Sequence, residues 1–117
     1  MGLINAKELA LLQRRSKYNA KKVVENGQRF DSQKEYNRWC QLVLLEQAGE
    51  IQGLRRQVPY VLIEKSEHGR AVKYIADFCY MENGKEVVED AKGFKTDVYK
   101  LKRRLMEERY GIKIRET

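Results

Sequence analysis

The sequence has 117 residues, which is enough for one domain with a single modest hydrophobic core. Apolar residues make up 42% and charged residues 35% of the chain, a composition that excludes a disordered, low-complexity protein. No apolar run approaches membrane-spanning length, and the N-terminus shows no signal-peptide pattern. We therefore expect a cytoplasmic protein with no membrane partner.

The net charge of +7 is concentrated at the two ends of the chain. Residues 1–22 carry six Lys or Arg against one acid, and residues 92–117 carry nine against four. Residues 23–91 carry nine basic residues against twelve acids. Cationic flanks favour a polyanionic partner, nucleic acid before an acidic membrane surface. A basic protein without such a partner is the alternative that charge leaves open.

The first elements in chain order are a helix and a hairpin. The helix is predicted from Asn5 to Lys17, because Asn5 and Glu8 have the spacing of a capping box. The segment KKVVENGQRF then predicts a hairpin, in which Asn26 and Gly27 suit a type I′ turn.

A second helix is predicted after the hairpin. Ser32 is the expected N-cap, and Gly49 suits the position just after the last turn. The apolar stripe predicted to face the core consists of Tyr36, Trp39, Cys40, Val43 and Leu44.

Three strands follow, predicted at residues 58–63, 71–80 and 85–93. Asn83 and Gly84 separate the last two strands and predict another type I′ turn.

The chain is predicted to end with a helix and a short strand, IKIRE. Thr96 is the expected N-cap of the helix, and Gly111 is expected to end it. The predicted apolar face consists of Val98, Leu101 and Leu105. A helical connection of this length favours a final strand parallel to its neighbour.

We therefore predict an α/β fold with a mixed central sheet. The whole chain, 1–117, is one domain in this interpretation, with a core at 32–117 and a helix and hairpin extension at 1–31.

A two-residue turn at Asn83-Gly84 would place two carboxylates opposite each other. Its register pairs Asp77 with Asp90, and further pairs join Cys79 to Val88 and Ile75 to Lys92. Directly opposed like charges destabilise a sheet unless a cation lies between them. Such a pair suits Mg²⁺ or Mn²⁺, with water and substrate phosphate as further ligands. The alternatives are a solvated sheet edge, or a slip of one residue that sends the two acids to opposite faces.

Other polar residues are weaker candidates. Glu35 has capping-box spacing from the expected N-cap, which explains it without chemistry, although a catalytic role is compatible with that position. Gln57 precedes a predicted strand and either holds a water or phosphate or is simply solvated. Lys95, Lys100 and Arg103 lie in the basic C-terminal segment, where some basic residues would contact phosphates without reading sequence.

Together these residues resemble the PD-(D/E)XK nuclease signature. Asp77 is followed across a hairpin by Asp90-Ala91-Lys92, and Glu35 lies on a preceding helix. The segments KYNAKK, FDSQKE, YIADF, VVEDAKGFKT and YKLKRRLM are similar to a family of small phage and prophage proteins in that superfamily. The chain departs from the signature in having Ala76 in place of Pro, and an Asp where Glu is more common.

The resemblance implies a restriction-endonuclease-like αβββαβ core and a Mg²⁺-dependent endonuclease, with Mn²⁺ able to substitute. Asp77, Asp90 and the backbone carbonyl of Ala91 would be metal ligands, and Glu35 a ligand or a water contact. Lys92 would stabilise charge or orient the attacking water.

The substrate implied is DNA, in phage replication, recombination or DNA processing in the cytoplasm of a bacterial host. Selectivity for branched DNA is compatible with this reading. Resolution of a junction needs two active sites, so a homodimer is left open. The alternative is a basic nucleic-acid-binding protein that keeps the fold without catalysis.

Overall fold

The computed structural model describes residues 22–117, so the helix predicted at Asn5–Lys17 lies outside the described residues. The chain divides into two compact units, one up to Asn37 and the other Arg38–Thr117. The elements in order are β1 (Val23–Glu25), β2 (Gln28–Phe30), α1 (Gln33–Gln47), β3 (Gln52–Ile63), β4 (Val72–Glu82), β5 (Lys85–Asp90), α2 (Asp97–Tyr110) and β6 (Arg115–Glu116). The result is a mixed α/β fold, as predicted.

The first unit contains the predicted hairpin of β1 and β2. Glu25 pairs with Gln28, which leaves Asn26 and Gly27 as a two-residue turn. Their φ angles are 51° and 77°, as a type I′ turn requires, so this prediction is confirmed. Phe30 at the end of β2 is buried within 5.2 Å of the Tyr36 ring, edge to face.

Helix α1 begins and ends where the sequence predicts. The Ser32 hydroxyl accepts a hydrogen bond from the Glu35 N–H at 3.1 Å, and Gly49 follows the last turn with φ 79°. The predicted apolar stripe was partly wrong: Leu42 is buried, whereas the Leu44 side chain is 65% exposed. Residues 42–45 are all apolar and so occupy every side of the helix. Packing rather than periodicity therefore selects the buried side.

The second unit is built on a four-stranded sheet in the order β3-β4-β5-β6. The first three strands are antiparallel, and β6 is parallel to β5, which confirms the predicted parallel connection. Strand β3 begins at Gln52, six residues before the predicted start at Val58. The missed residues, QGLRRQ, have no apolar alternation, because β3 is an edge strand with much of its surface in water.

Each face of the sheet is covered by one helix. On one face, Tyr99 and Met106 of α2 pack in a cluster with Tyr74 and Val88. On the other face, Leu42 of α1 packs in a second cluster with the aromatic residues Trp39, Phe78 and Tyr80. Two apolar layers thus enclose the central strands β4 and β5.

Helix α2 has the predicted ends and a different buried face. The Thr96 hydroxyl accepts from the Tyr99 N–H at 3.1 Å, and Gly111 has φ 65° after the last residue. Val98 and Leu101, which the pattern assigned to the core, are 63% and 58% exposed. Tyr99 and Met106 are buried instead, so the inward side is rotated from the predicted one.

The alternation of side chains changes phase in the middle of β3 and β4. Ala76 packs in the cluster with α2, but Phe78, two residues later, packs in the cluster with α1. In β3, Val58 and Leu54 show the same change of face. Strict alternation would keep each pair on one side. The pattern therefore breaks in both strands at the same point, between Arg56 and Val58 and between Ala76 and Phe78.

Neither helix in the described part of the chain is long and apolar enough to cross a membrane.

Candidate active site at the end of the β4–β5 ladder

The predicted register between β4 and β5 is present in the ladder. Glu82 pairs with Lys85, and the last regular pair is Phe78 with Glu89. The ladder ends there, one pair before Asp77 and Asp90. Beyond the ladder, the Asp77 carboxylate and not a backbone carbonyl accepts the hydrogen bond from the β5 side.

Asp77 is joined to the strand of Asp90 by a hydrogen bond. The N–H of Ala91 donates to Oδ2 of Asp77 at 2.8 Å. A charge-assisted bond of this kind is stronger than one between neutral groups. It places the Asp77 carboxylate beside the residue that follows Asp90, so the two predicted acids lie at one location.

Asp90 is buried, and each oxygen of its carboxylate accepts a hydrogen bond. Its side chain is only 1% exposed. Oδ2 accepts from the Tyr74 hydroxyl at 2.6 Å, and Oδ1 accepts from the Lys92 N–H at 3.0 Å. Its own backbone carbonyl accepts from the Thr117 N–H at 3.0 Å. A carboxylate is costly to bury without such partners, and here they fix its orientation.

Tyr74 is the site residue that sequence reasoning missed. Its burial, followed by its hydrogen bond to Asp90, raises the Tyr74 pKa well above its usual range. The phenol therefore stays protonated and acts as a donor. Strict alternation assigns Tyr74 to the face opposite Asp90. Only the phase change near Asp77 brings the two together, and no local sequence pattern announces it.

Lys92 lies on the same side of the sheet as the Asp90 carboxylate. Its Nζ is 5.3 Å from the centre of the buried Tyr99 ring, a cation–π distance. Burial, with the negative charge of Asp90 next in weight, raises the pKa of Tyr99 above its usual range, so this ring is neutral. Lys92 also lines an open cleft of about 220 Å³ next to α2.

Gln57 lies across the ladder from Asp77. Arg56 pairs with Phe78 and Val58 with Ala76, which leaves Gln57 opposite Asp77. Its φ angle is 53°, in the left-handed region that residues with a side chain seldom occupy. A non-glycine residue in this conformation costs about 1–2 kcal/mol, so β3 carries local strain beside the candidate site.

Glu35 belongs to the first unit and is described within it. It is buried, and its Oε2 accepts from the Asp31 N–H at 3.2 Å. Its own N–H donates to the Ser32 hydroxyl. This is a capping arrangement like the one its spacing predicts, with the reciprocal bond made one residue earlier than in a standard capping box.

The three basic residues predicted to contact phosphates, Lys95, Lys100 and Arg103, differ from one another in their surroundings. Lys95 and Arg103 both form ion pairs with Glu116, at 3.3 and 2.8 Å. Partial burial tends to raise the Glu116 pKa, but the hydrogen bonds from Arg103 and Lys95 outweigh it, so that the pKa is lowered. Lys100 is exposed on α2.

A second buried carboxylate lies next in sequence but on the opposite face. Glu89 accepts hydrogen bonds from the Arg38 guanidinium, the Tyr80 hydroxyl at 2.6 Å and the Thr117 hydroxyl at 3.0 Å. The Arg38 pKa is raised, chiefly by the hydrogen bond to Glu89. Breaking one partner from a buried pair is strongly destabilising, so we assign Glu89 to the fold rather than to the site.

The two acids at the site suit a hard divalent cation that takes only one or two of its ligands from the protein. Among residues 22–117, no group of three or more His, Cys, Asp or Glu is arranged to hold a metal ion. Mg²⁺ is often bound by one or two carboxylates, with water and phosphate oxygens completing its octahedron. Asp77 and Asp90 meet that requirement by the chemistry of their oxygens.

The fold and the site describe a mixed α/β protein with a pair of carboxylates where two central strands leave their ladder. The chain belongs to the DUF1064 family, a family of proteins of unknown function, whose model matches residues 15–116. No curated protein and no solved structure matches the chain significantly.

Proposed function

We propose that this protein is a divalent-metal-dependent endonuclease that hydrolyses DNA phosphodiester bonds. The observation that carries the proposal is the hydrogen bond from the Ala91 N–H to Asp77, which holds this carboxylate beside the residue that follows Asp90, with Lys92 next along the chain. A protein selected only for stability would gain little from a buried carboxylate on one strand and a partly buried carboxylate close to it on the next strand.

The side chains at the site can divide the work of hydrolysis. Asp77 and Asp90 would hold Mg²⁺ or Mn²⁺ with the Ala91 carbonyl, and the bound metal would supply charge neutralisation and an acidified water. The ammonium of Lys92 would stabilise the negative charge that develops on the phosphate. The hydroxyl of Tyr74 holds the Asp90 carboxylate in one orientation.

The element order also supports a nuclease-like core. From α1 onward the chain runs helix, three antiparallel strands, helix, and a strand parallel to its neighbour. That is the αβββαβ order of a restriction-endonuclease-like core, which we include in the proposal. A phage origin and the cytoplasm of a bacterial host belong to the same proposal, and resolution of a junction would require a homodimer.

A non-catalytic DNA-binding protein is the second candidate. It is favoured by the hydrogen bonds that both oxygens of Asp90 already make within the protein. Coordination of a metal would have to share or replace one of them. The net charge of +7 serves either function, since it attracts phosphates in both cases.

Cleavage of DNA by the wild type and Asp90→Asn tests the proposal. Supercoiled plasmid and a synthetic four-way junction would each be incubated with Mg²⁺, Mn²⁺ or EDTA. We expect cleavage with either metal, none with EDTA, and a loss of at least about 100-fold in Asp90→Asn, because one ligand becomes a neutral amide.

Glu67→Gln is the control for the loss of one acid, since Glu67 is an exposed acid in the loop between β3 and β4. It should cleave like the wild type. Full metal-dependent cleavage by Asp90→Asn would refute the site. Binding of both DNAs without cutting under any metal would favour the second candidate.

A further inference from the structure

The cleft beside Lys92 combines positive charge with apolar walls. It has a volume of about 220 Å³ and lies between the first residues of β4 and helix α2. Lys92 and Lys102 contribute cationic side chains, while Ile75, Val98 and Tyr99 contribute apolar and aromatic surface. No acid is among the residues that line it.

The apolar surface extends beyond the cleft. Val98 is largely exposed, and Leu101, three residues later on the same helix, is also exposed. Ile75, which lines the cleft, is 44% exposed. Exposure of apolar side chains to water is unfavourable. A group of them on a surface therefore indicates contact with an apolar part of a ligand.

The charge of this surface selects among ligands. A second copy of a chain with net charge +7 would bring like charges to Lys92 and Lys102, as would a basic peptide. A nucleotide offers both parts that the cleft requires, an anionic phosphate and a planar base with an apolar face. Aromatic and apolar side chains along a basic groove are the usual means of binding single strands.

We propose that this cleft binds an unpaired nucleobase of the DNA strand beside the Asp77–Asp90 pair. Lys92 and Lys102 contact the phosphates on either side of that nucleotide, while Val98 and Ile75 contact the base. The position of the base next to the cleaved bond rests on the proposed function. The substrate class that follows is DNA with exposed bases, such as single strands, flaps or branch points, since the bases of intact duplex remain stacked and paired.

Binding measured without cleavage tests the cleft. Fluorescence anisotropy in EDTA would compare a labelled oligodeoxythymidine, an abasic strand of the same length and a duplex. We expect the wild type to bind the abasic strand and the duplex about tenfold more weakly than the oligodeoxythymidine, as expected for loss of one or two stacked bases.

Val98→Asn should lose most of that preference, and so should Ile75→Asn, while neither changes binding to the abasic strand. Leu44→Asn, which alters a similarly exposed residue on α1, is the matched control and should behave as wild type. If Val98→Asn unfolds at a lower temperature than the control, the nearly isosteric Val98→Thr replaces it. Equal binding of normal and abasic strands by the wild type would overturn the proposal, whatever the variants do.

The two proposals fail separately in this design. Base-dependent binding in a protein that cuts no DNA under any metal would support the cleft and remove the nuclease. Metal-dependent cleavage by a protein without base-dependent binding would support the nuclease and overturn the cleft.

Discussion

At the scale of single residues, the carboxylate of Asp90 is defined by its hydrogen-bond partners. Tyr74 donates to one oxygen and the Lys92 N–H to the other. Because Tyr74 keeps its proton, as the raised Tyr74 pKa indicates, the contact is a neutral donor to a charged acceptor. Hydrogen bonds to charged groups contribute about 1.5–3 kcal/mol to stability. Tyr74 is therefore a positioning residue for Asp90.

Removal of the Tyr74 hydroxyl should lower the free energy of unfolding. We expect Tyr74→Phe to lose about 1.5–3 kcal/mol in urea denaturation, since Asp90 remains buried without that donor. The same change at Tyr60, whose hydroxyl donates to the exposed Glu86 at 3.3 Å, should cost less than about 1 kcal/mol. Equal losses in the two variants would show that the contact with Asp90 has no special weight.

At the scale of elements, strands β3 and β4 change the side that their residues face. Gln57 and Asp77 lie opposite each other at that change, and Gln57 has a positive φ. Strain of this kind is often found near functional sites, where surrounding contacts hold it. Here the change turns Tyr74 and Ala76 towards α2, and Tyr74 can then reach Asp90.

The conformation of Gln57 predicts that glycine is tolerated better than valine at this position, the reverse of the usual order in a strand. Gln57→Gly should stay within about 1 kcal/mol of the wild type, because glycine accepts a positive φ while losing more chain entropy on folding. Gln57→Val should cost about 2 kcal/mol or more, because a β-branched residue is a poor fit to this region. Thermal and urea unfolding measure both. Greater stability in Gln57→Val than in Gln57→Gly would mean that the strand is not kinked at this residue.

At the scale of the whole molecule, the net positive charge would attract DNA of any base sequence, because it acts on the phosphates. The net charge is +7. Each phosphate contact releases counterions from the DNA, so the affinity depends on the salt concentration. Ion pairs reduce the number of available cations, since Lys95 and Arg103 already pair with Glu116. Lys92 and Lys102 line the cleft to which we assign the phosphates.

The salt dependence of DNA binding separates these groups. We expect the affinity to fall as salt rises, and Lys102→Gln should reduce the slope of log K against log salt by about one. Lys85→Gln removes an exposed lysine at the far end of the β4–β5 hairpin and should leave the slope unchanged. Anisotropy titrations over a range of NaCl concentrations provide the slopes. Identical slopes for wild type and Lys102→Gln would place the phosphates elsewhere.

The sequence by itself determined the elements whose signals are local. The two type I′ turns at Asn26-Gly27 and Asn83-Gly84, the caps at Ser32 and Thr96 and the glycines that end the helices depend on neighbouring residues alone. The pairing register of β4 and β5 followed from the second turn, and with it the approach of Asp77 to Asp90.

Tertiary structure alone decided which faces are buried and how the acids are held. Residues 42–45 are uniformly apolar, and α2 has apolar residues on more than one side, so docking on the sheet selected Leu42, Tyr99 and Met106. The phase change at Gln57 and Asp77 depends on two strands distant in sequence. It determines that Tyr74 meets Asp90, because only packing on both sides of the sheet can stabilise a break in the alternation.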